Sequence, residues 1–199
     1  FIKLQDKFFT KTKIEMKYFL CSLLFLTGIF MTAEAQQFRG LDKSPMDVAY
    51  LPDNFAHDRD PGQKAIVKVY YSRPQKKDRE LFGSKVPYGK VWRTGANESP
   101  ELKVYKDITI GGKALKAGTY SIFTIPNEKE WTILISTDLD YWGAFKYNEK
   151  NDVLSFKVPS KTLSEALEAF SIMLEDQGNN SAVMRMGWDT TMVEVPLKY

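Results

Sequence analysis

Residues 117–135 read Ala-Gly-Thr-Tyr-Ser-Ile-Phe-Thr-Ile-Pro-Asn-Glu-Lys-Glu-Trp-Thr-Ile-Leu-Ile. Ala117-Gly118 is a turn signal. Thr119–Ile125 is rich in β-branched and aromatic residues and stops at Pro126, which cannot donate to a ladder. Asn127 to Glu130 turns the chain, and Trp131–Ile135 returns it, so the stretch reads as a β-hairpin. Outward from it the period of two recurs. Val67, Val69 and Tyr71 alternate with Lys68, Tyr70 and Ser72, and Leu102 and Val104 with Lys103 and Tyr105. Ile108-Thr109-Ile110 meets Gly111-Gly112, a pair that supplies the positive φ angles of a tight turn. Further strands are expected at Trp142–Tyr147, Val153–Val158, Phe170–Glu175, Ala182–Trp188 and Thr191–Val195. Thr162-Leu163-Ser164-Glu165 matches a helix capping box ahead of Ala166-Leu167, so a helix of at most two or three turns is expected there. The fold expected is all-β: a single-domain antiparallel β-sandwich, or flattened barrel, of about nine strands with at most one short helix.

The N-terminal third has a different texture. Met16-Lys17 opens a basic segment, Tyr18–Met31 carries no charge, and Ala33-Glu34-Ala35 has the small-x-small pattern of a signal-peptidase site. Residues 16–35 therefore read as a signal peptide, with the mature chain starting at Gln36, and residues 1–15 as an upstream extension or artefact. The apolar run falls short of the roughly 20 residues that a spanning helix needs. Residues 36–64 hold three prolines and scattered charge. They read as an irregular arm, with one short edge strand near Val48-Ala49-Tyr50, ahead of a β-domain over 65–199.

Composition narrows the function classes. The net charge of +3 falls to +1 without residues 1–35, which carry five lysines and three acids. That leaves no electrostatic case for nucleic acid or an anionic membrane. The single cysteine, Cys21, lies in the leader, so the mature chain has no disulfide and no thiolate ligand. An exported domain without disulfides fits a bacterial envelope, periplasmic or secreted. With His57 as the only histidine and no cysteine in the mature chain, a zinc shell lacks ligands. A Ser-His-Asp triad would have to use His57, which lies in the irregular arm with no Gly-x-Ser-x-Gly elbow, and is not expected, nor is any metal or cofactor. Asp58-Arg59-Asp60 and Asp138-Leu139-Asp140 lack the spacing of a calcium loop and read as solvated turn acids.

Tyr71 to Glu98 departs from the alternation. After Tyr71-Ser72-Arg73-Pro74 come Phe82-Gly83 and then the dense run Val86-Pro87-Tyr88-Gly89-Lys90-Val91-Trp92-Arg93-Thr94-Gly95-Ala96-Asn97-Glu98. Long loops in compact domains are functional or disordered, and this one is too aromatic for disorder. Together with Ile108–Lys113, Ala117–Pro126, Glu130–Ile133 and Trp142–Tyr147, the run resembles a family of exported bacterial proteins of the Bacteroidetes type, domain of unknown function 2911. The resemblance covers roughly Asp42 to Pro196. It implies an exported β-rich domain and no activity, and it assigns no catalytic residue.

Seven residues stand out as ligand-binding candidates: Arg73, Tyr88, Trp92, Arg93, Asn97, Glu98 and Trp142. The two guanidinium groups suit a carboxylate, phosphate or sulfate; alternatively each pairs with Glu80, Glu98 or a loop carbonyl. Trp92, Tyr88 and Trp142, with Tyr141 and Tyr147, suit an aromatic platform for a sugar or peptide; the plainer reading is core for most of them, with Trp142 the better candidate for exposure. Trp131 and Trp188, on alternating strands, read as core, and Met173, Met184, Met186 and Met192 as gap fillers. Asn97 fixes a turn or reads a hydroxyl. The residues point to a non-catalytic ligand-binding domain for a saccharide, peptide or small anion. The rival readings are an envelope assembly or protein-interaction module, and an acid/base hydrolase using Glu98 with Arg93.

Overall fold

The computed structural model describes residues 38–199, so the leader-like segment 16–35 and residues 1–15 lie outside the described residues. Residues 41–199 form one compact unit. Its elements are β1 (Met46–Leu51), a single helical turn α1 (Phe55–Asp58), β2 (Val67–Ser72), β3 (Glu101–Val104), β4 (Ile108–Ile110), β5 (Lys113–Leu115), β6 (Gly118–Pro126), β7 (Glu130–Ser136), β8 (Asp152–Gly178) and β9 (Ser181–Lys198). All nine strands are antiparallel to their neighbours. They form one sheet in the order β1-β2-β3-β6-β7-β8-β9-β4-β5, with β1 and β5 at its edges rather than closed into a barrel.

The hairpin that opened the sequence reading is β6–β7, with Ile122 opposite Ile135 and Thr124 opposite Ile133. The Gly111-Gly112 turn joins β4 to β5. Gly111 has φ +56°, and a Cβ there would lie 2.3 Å from the Phe156 ring, so the turn needs glycine for conformation and for space. The edge strand expected near Val48–Tyr50 is β1, which pairs along its whole length with β2 and buries Leu51 completely.

β8 decides the architecture. At 27 residues it is several times the roughly five or six of a common strand. Its first part pairs with β7 up to Pro159, and from Ser160 onward it pairs with β9. Register shifts between Thr162 and Leu167 and between Leu167 and Ser171 mark where it turns from one half of the sheet into the other. The two halves then face each other over a single core. Val67, Val69, Leu102, Ile122 and Ile133 from one half meet Phe170, Ile172, Met184, Met186 and Val193 from the other. This is the two-layer packing of a sandwich made by one continuous sheet.

Four local expectations are corrected. The capping-box residues Thr162–Glu165 lie in β8 and no helix forms there. Ala166, Leu167, Ala169 and Phe170 follow the box at spacings that suit a short helical stripe, but the buried period-two run Phe170, Ile172, Leu174 draws the backbone into the ladder with β9 instead. The helical turn α1 forms in the N-terminal arm instead. Trp142–Tyr147 is a chain of bends and turns, broken by Asp140 at φ +59° and Gly143 at φ +73°. The four short strands expected between Val153 and Val195 are two long ones. Met184 and Met186 fill the core as expected, whereas Met173 is 47% exposed. Among the described residues no helix is long and apolar enough to cross a membrane.

Candidate functional site

The connection from β2 to β3 is ordered by hydrogen bonds to the sheet it leaves. β3 accompanies β6 only as far as Ser121, and Trp92 takes the place alongside β6 beyond it. The Trp92 amide donates to the Thr124 carbonyl at 2.7 Å, and the Thr124 amide returns the bond at 2.9 Å. Thr94 is fully buried at φ +60°, an unfavourable angle for a β-branched residue, and its hydroxyl meets that of Thr124 at 3.0 Å.

That placement sends the Trp92 ring inward. It stacks on Trp188 (centroids 6.1 Å, 11° between planes) and meets Trp131, Phe170 and Phe82 edge-on at 5.4 to 6.0 Å. With 8% exposure it is core, closed to a ligand arriving from solvent. Trp131 and Trp188 are core as their alternation implied.

Arg73 is also committed. Its Nε donates to the Phe170 carbonyl at 3.2 Å, Nη2 to the Ser171 hydroxyl at 2.9 Å and Nη1 to Asp47 at 2.9 Å. One guanidinium thus joins β1, the end of β2 and β8. Arg93 is half-buried, which holds its pKa below the usual arginine value, and its Nε has no partner among the described residues. Tyr88 is 38% exposed and lies in a separate shallow groove with Asn127 and Glu128. Burial, then Glu128 and Glu80, push its phenol pKa up. His57 is exposed, its Nδ1 2.5 Å from Asp58.

Asn97, Glu98 and Trp142 do come together. Asn97 adopts φ +57°, its amide donates to Asp42 at 3.0 Å, and its carbonyl accepts from the Gly143 amide at 2.9 Å. Glu98 bridges Trp142 through the backbone, and the Ser99 amide donates to the Tyr141 carbonyl at 2.9 Å. The end of the long connection is thereby clipped to the β7–β8 connection. The latter lies on the outer face of the sheet, where Tyr141 and Tyr147 pack on Phe123 at 5.9 and 5.2 Å. Trp142 remains 64% exposed and stacks on Phe145, itself 82% exposed.

Beside this clip lies a cleft of about 250 Å³. Register explains its chemistry: Tyr70 faces Glu101, and Glu101 faces Ser121, so one rung of the outer face supplies a phenol, a carboxylate and a hydroxyl. Met46 and Ser72 form the rung at the β1 end. Glu98 and Ser99 contribute from the long connection, Leu139 and Asp140 from the covering one. Three carboxylates thus share one opening with hydroxyls and apolar carbon. The Ser99 hydroxyl is shielded from solvent yet has no hydrogen-bond partner among the described residues. No trio of His, Cys, Asp or Glu with metal-holding geometry occurs among them either.

Sequence reasoning missed Tyr70, Glu101 and Ser121, set Asp140 aside as a solvated turn acid, and found Glu98. A pairing register would have revealed the first three, and no single strand carries that information. A family model described as "Protein of unknown function (DUF2911)" matches residues 55–197, most of the chain. Neither a curated protein nor a solved structure matches it.

Proposed function

Because the chain belongs to the DUF2911 family, whose description assigns no function, we propose a role from the geometry of the chain itself: a non-catalytic ligand-binding domain whose cleft at Glu98 takes a small polyhydroxylated ligand, a saccharide unit. The observation that carries this reading is the unpartnered Ser99 hydroxyl set among Glu98, Glu101 and Asp140. Carboxylates accept from sugar hydroxyls, and a shielded hydroxyl without a partner gains by meeting one. Ligand pockets run from about 300 Å³ upward, and this one, just below that, suits a single ring. A small anion fits the cleft poorly, since its charged lining is negative and Arg73 is already engaged. Export to the periplasm or medium belongs to the same proposal, supported by the leader pattern of residues 16–35.

Titration of the full chain with a panel of mono- and disaccharides, followed by ligand-observed NMR, tests the proposal. Saturable binding is expected, weakened about tenfold or more in Glu98→Gln with Asp140→Asn, the loss that follows when charged acceptors are removed. No saturable binding to any sugar, or undiminished binding by the double variant, overturns it. Product formation from a glycoside in the same tubes, abolished by Glu98→Gln, would favour the hydrolase reading instead.

A second reading has one specific observation behind it. The stacked, exposed Trp142–Phe145 pair is the kind of aromatic surface that protein interfaces enrich, which favours an envelope assembly module. Cross-linking in the native envelope, with Trp142→Ser as the control, separates the two.

A further inference from the structure

A second cavity, of about 330 Å³, opens where the arm after β1 folds against the outer face of β1 and β2. Its charged lining is of one sign: Arg59, Lys64 and Lys68, with no carboxylate among the lining residues. Its walls are aromatic, from Tyr50, Phe55 and Tyr105. Tyr50 lies directly opposite Lys68 in the β1–β2 ladder, and its ring is tilted 32° against Phe55 with centroids 6.2 Å apart. Lys68 is held in place, donating to the Tyr70 hydroxyl at 2.9 Å with its ammonium 4.4 Å from that ring's centroid. Of the arm's acids, Asp58 is engaged with His57 and Asp60 with Gln63, and the exposed Asp53 is not among the lining residues. Among the described residues neither Arg59 nor Lys64 pairs with a carboxylate. On the next strand of the same rung Lys68 faces Lys103, whose ammonium donates to the Thr119 hydroxyl at 2.8 Å, away from the cavity lining.

We propose that this cavity is a binding site for an oxyanion carried on a flat ring, a phosphate or sulfate ester of an aromatic or planar body. The planar guanidinium of Arg59 suits two oxygens of such a group, and Lys64 and Lys68 supply point charges beside it. Tyr50, Phe55 and Tyr105 give the ring a surface that inorganic ions cannot use. The linings of the two cavities do not overlap, although Tyr70 of the cleft holds Lys68 here, and this ligand is an anion where the cleft's is a neutral sugar.

The test titrates the full chain with phenyl phosphate and phenyl sulfate, in parallel with inorganic phosphate, inorganic sulfate and phenol, read by chemical shift or calorimetry. One or both esters are expected to bind at least tenfold more tightly than the matching inorganic ion, with affinity falling as salt rises, and phenol not at all. Which ester wins distinguishes phosphate from sulfate chemistry. Arg59→Gln with Lys64→Gln should reduce ester affinity at least tenfold with an unchanged circular dichroism spectrum, both side chains being exposed. Should that pair misfold, Lys64→Glu alone serves, with the same expected loss. Glu98→Gln should leave ester binding untouched, so this site and the cleft can fail separately. Absence of saturable ester binding, or full binding by the charge-removed variants, overturns the proposal.

Discussion

Arg73 sits where the paired strands β1 and β2 approach β8 without pairing to it, and its three donors span that seam. The ion pair with Asp47 is solvent-reached on both sides, so the bonds to the Phe170 carbonyl and Ser171 matter more. Arg73→Ala is expected to cost about 1–3 kcal/mol, measured by denaturant unfolding, because it orphans the Phe170 carbonyl. Arg73→Lys should recover only part of this, since one ammonium cannot reach three acceptors arranged for a planar fork. Trp92 is more costly. Trp92→Ala removes a side chain touching four other aromatics and should destabilise by about 3–5 kcal/mol. An intact midpoint in that variant would show the ring to be surface, not core. Both residues were conspicuous in the sequence, but conspicuousness did not distinguish a ligand platform from a core. A tryptophan in a loop has no periodicity to say which way it faces, and what sends Trp92 inward is a bridge to Thr124, 32 residues on.

At the scale of elements, alternation identified the strands because a half-buried strand must alternate, and β2, β3, β6 and β7 fall where Val67, Leu102, Thr119 and Trp131 led. It failed where the signal is local and the outcome is not. The capping box in β8 is a satisfactory helix start, but the alternating Phe170, Ile172 and Leu174 are buried by the ladder with β9, and that pairing overrode it. The β4–β5 turn gives a sharper test. Gly111→Ala meets both an unfavourable φ and the Phe156 ring and is expected to lower stability by more than about 1 kcal/mol. Gly112→Ala, at φ +79° with open space around its Cβ position, incurs the angle alone. Equal thermal midpoints for the two variants would refute the steric half of that account.

Across the whole described unit, the outer-face rung from Tyr70 through Glu101, Ser121 and Ser136 ends at Asp152, reached across a bulge. The exposed end of this rung lines the cleft and its covered end lies under the β7–β8 connection. There burial raises the Asp152 carboxyl above its ordinary 3.8, against the opposing hydrogen bond from Tyr147. A raised carboxyl binds its proton more tightly folded than unfolded, so its contribution is present below pH 3.8 and is lost as pH rises through the folded value. Stability of the wild type relative to Asp152→Asn should therefore decline as pH climbs above 4. A difference that stays flat or grows would show the group to be unperturbed or depressed. The cleft was only partly legible for the same reason the rung was: Glu98 stood in a dense motif, but Glu101 and Ser121 acquire meaning only once four strands are laid side by side.

The sharing of β8 between both halves has a consequence for how the chain is made. During synthesis the β4–β5 hairpin emerges long before β9, the neighbour against which it docks, and the seam that Arg73 spans needs Phe170 and Ser171. A nascent polypeptide halted before Ser181 thus leaves the β4–β5 edge without its partner strand, and completion awaits β9. Such late, long-range closure predicts slow refolding and a long-lived protease-sensitive precursor, an asset to any product threaded unfolded through a translocation pore.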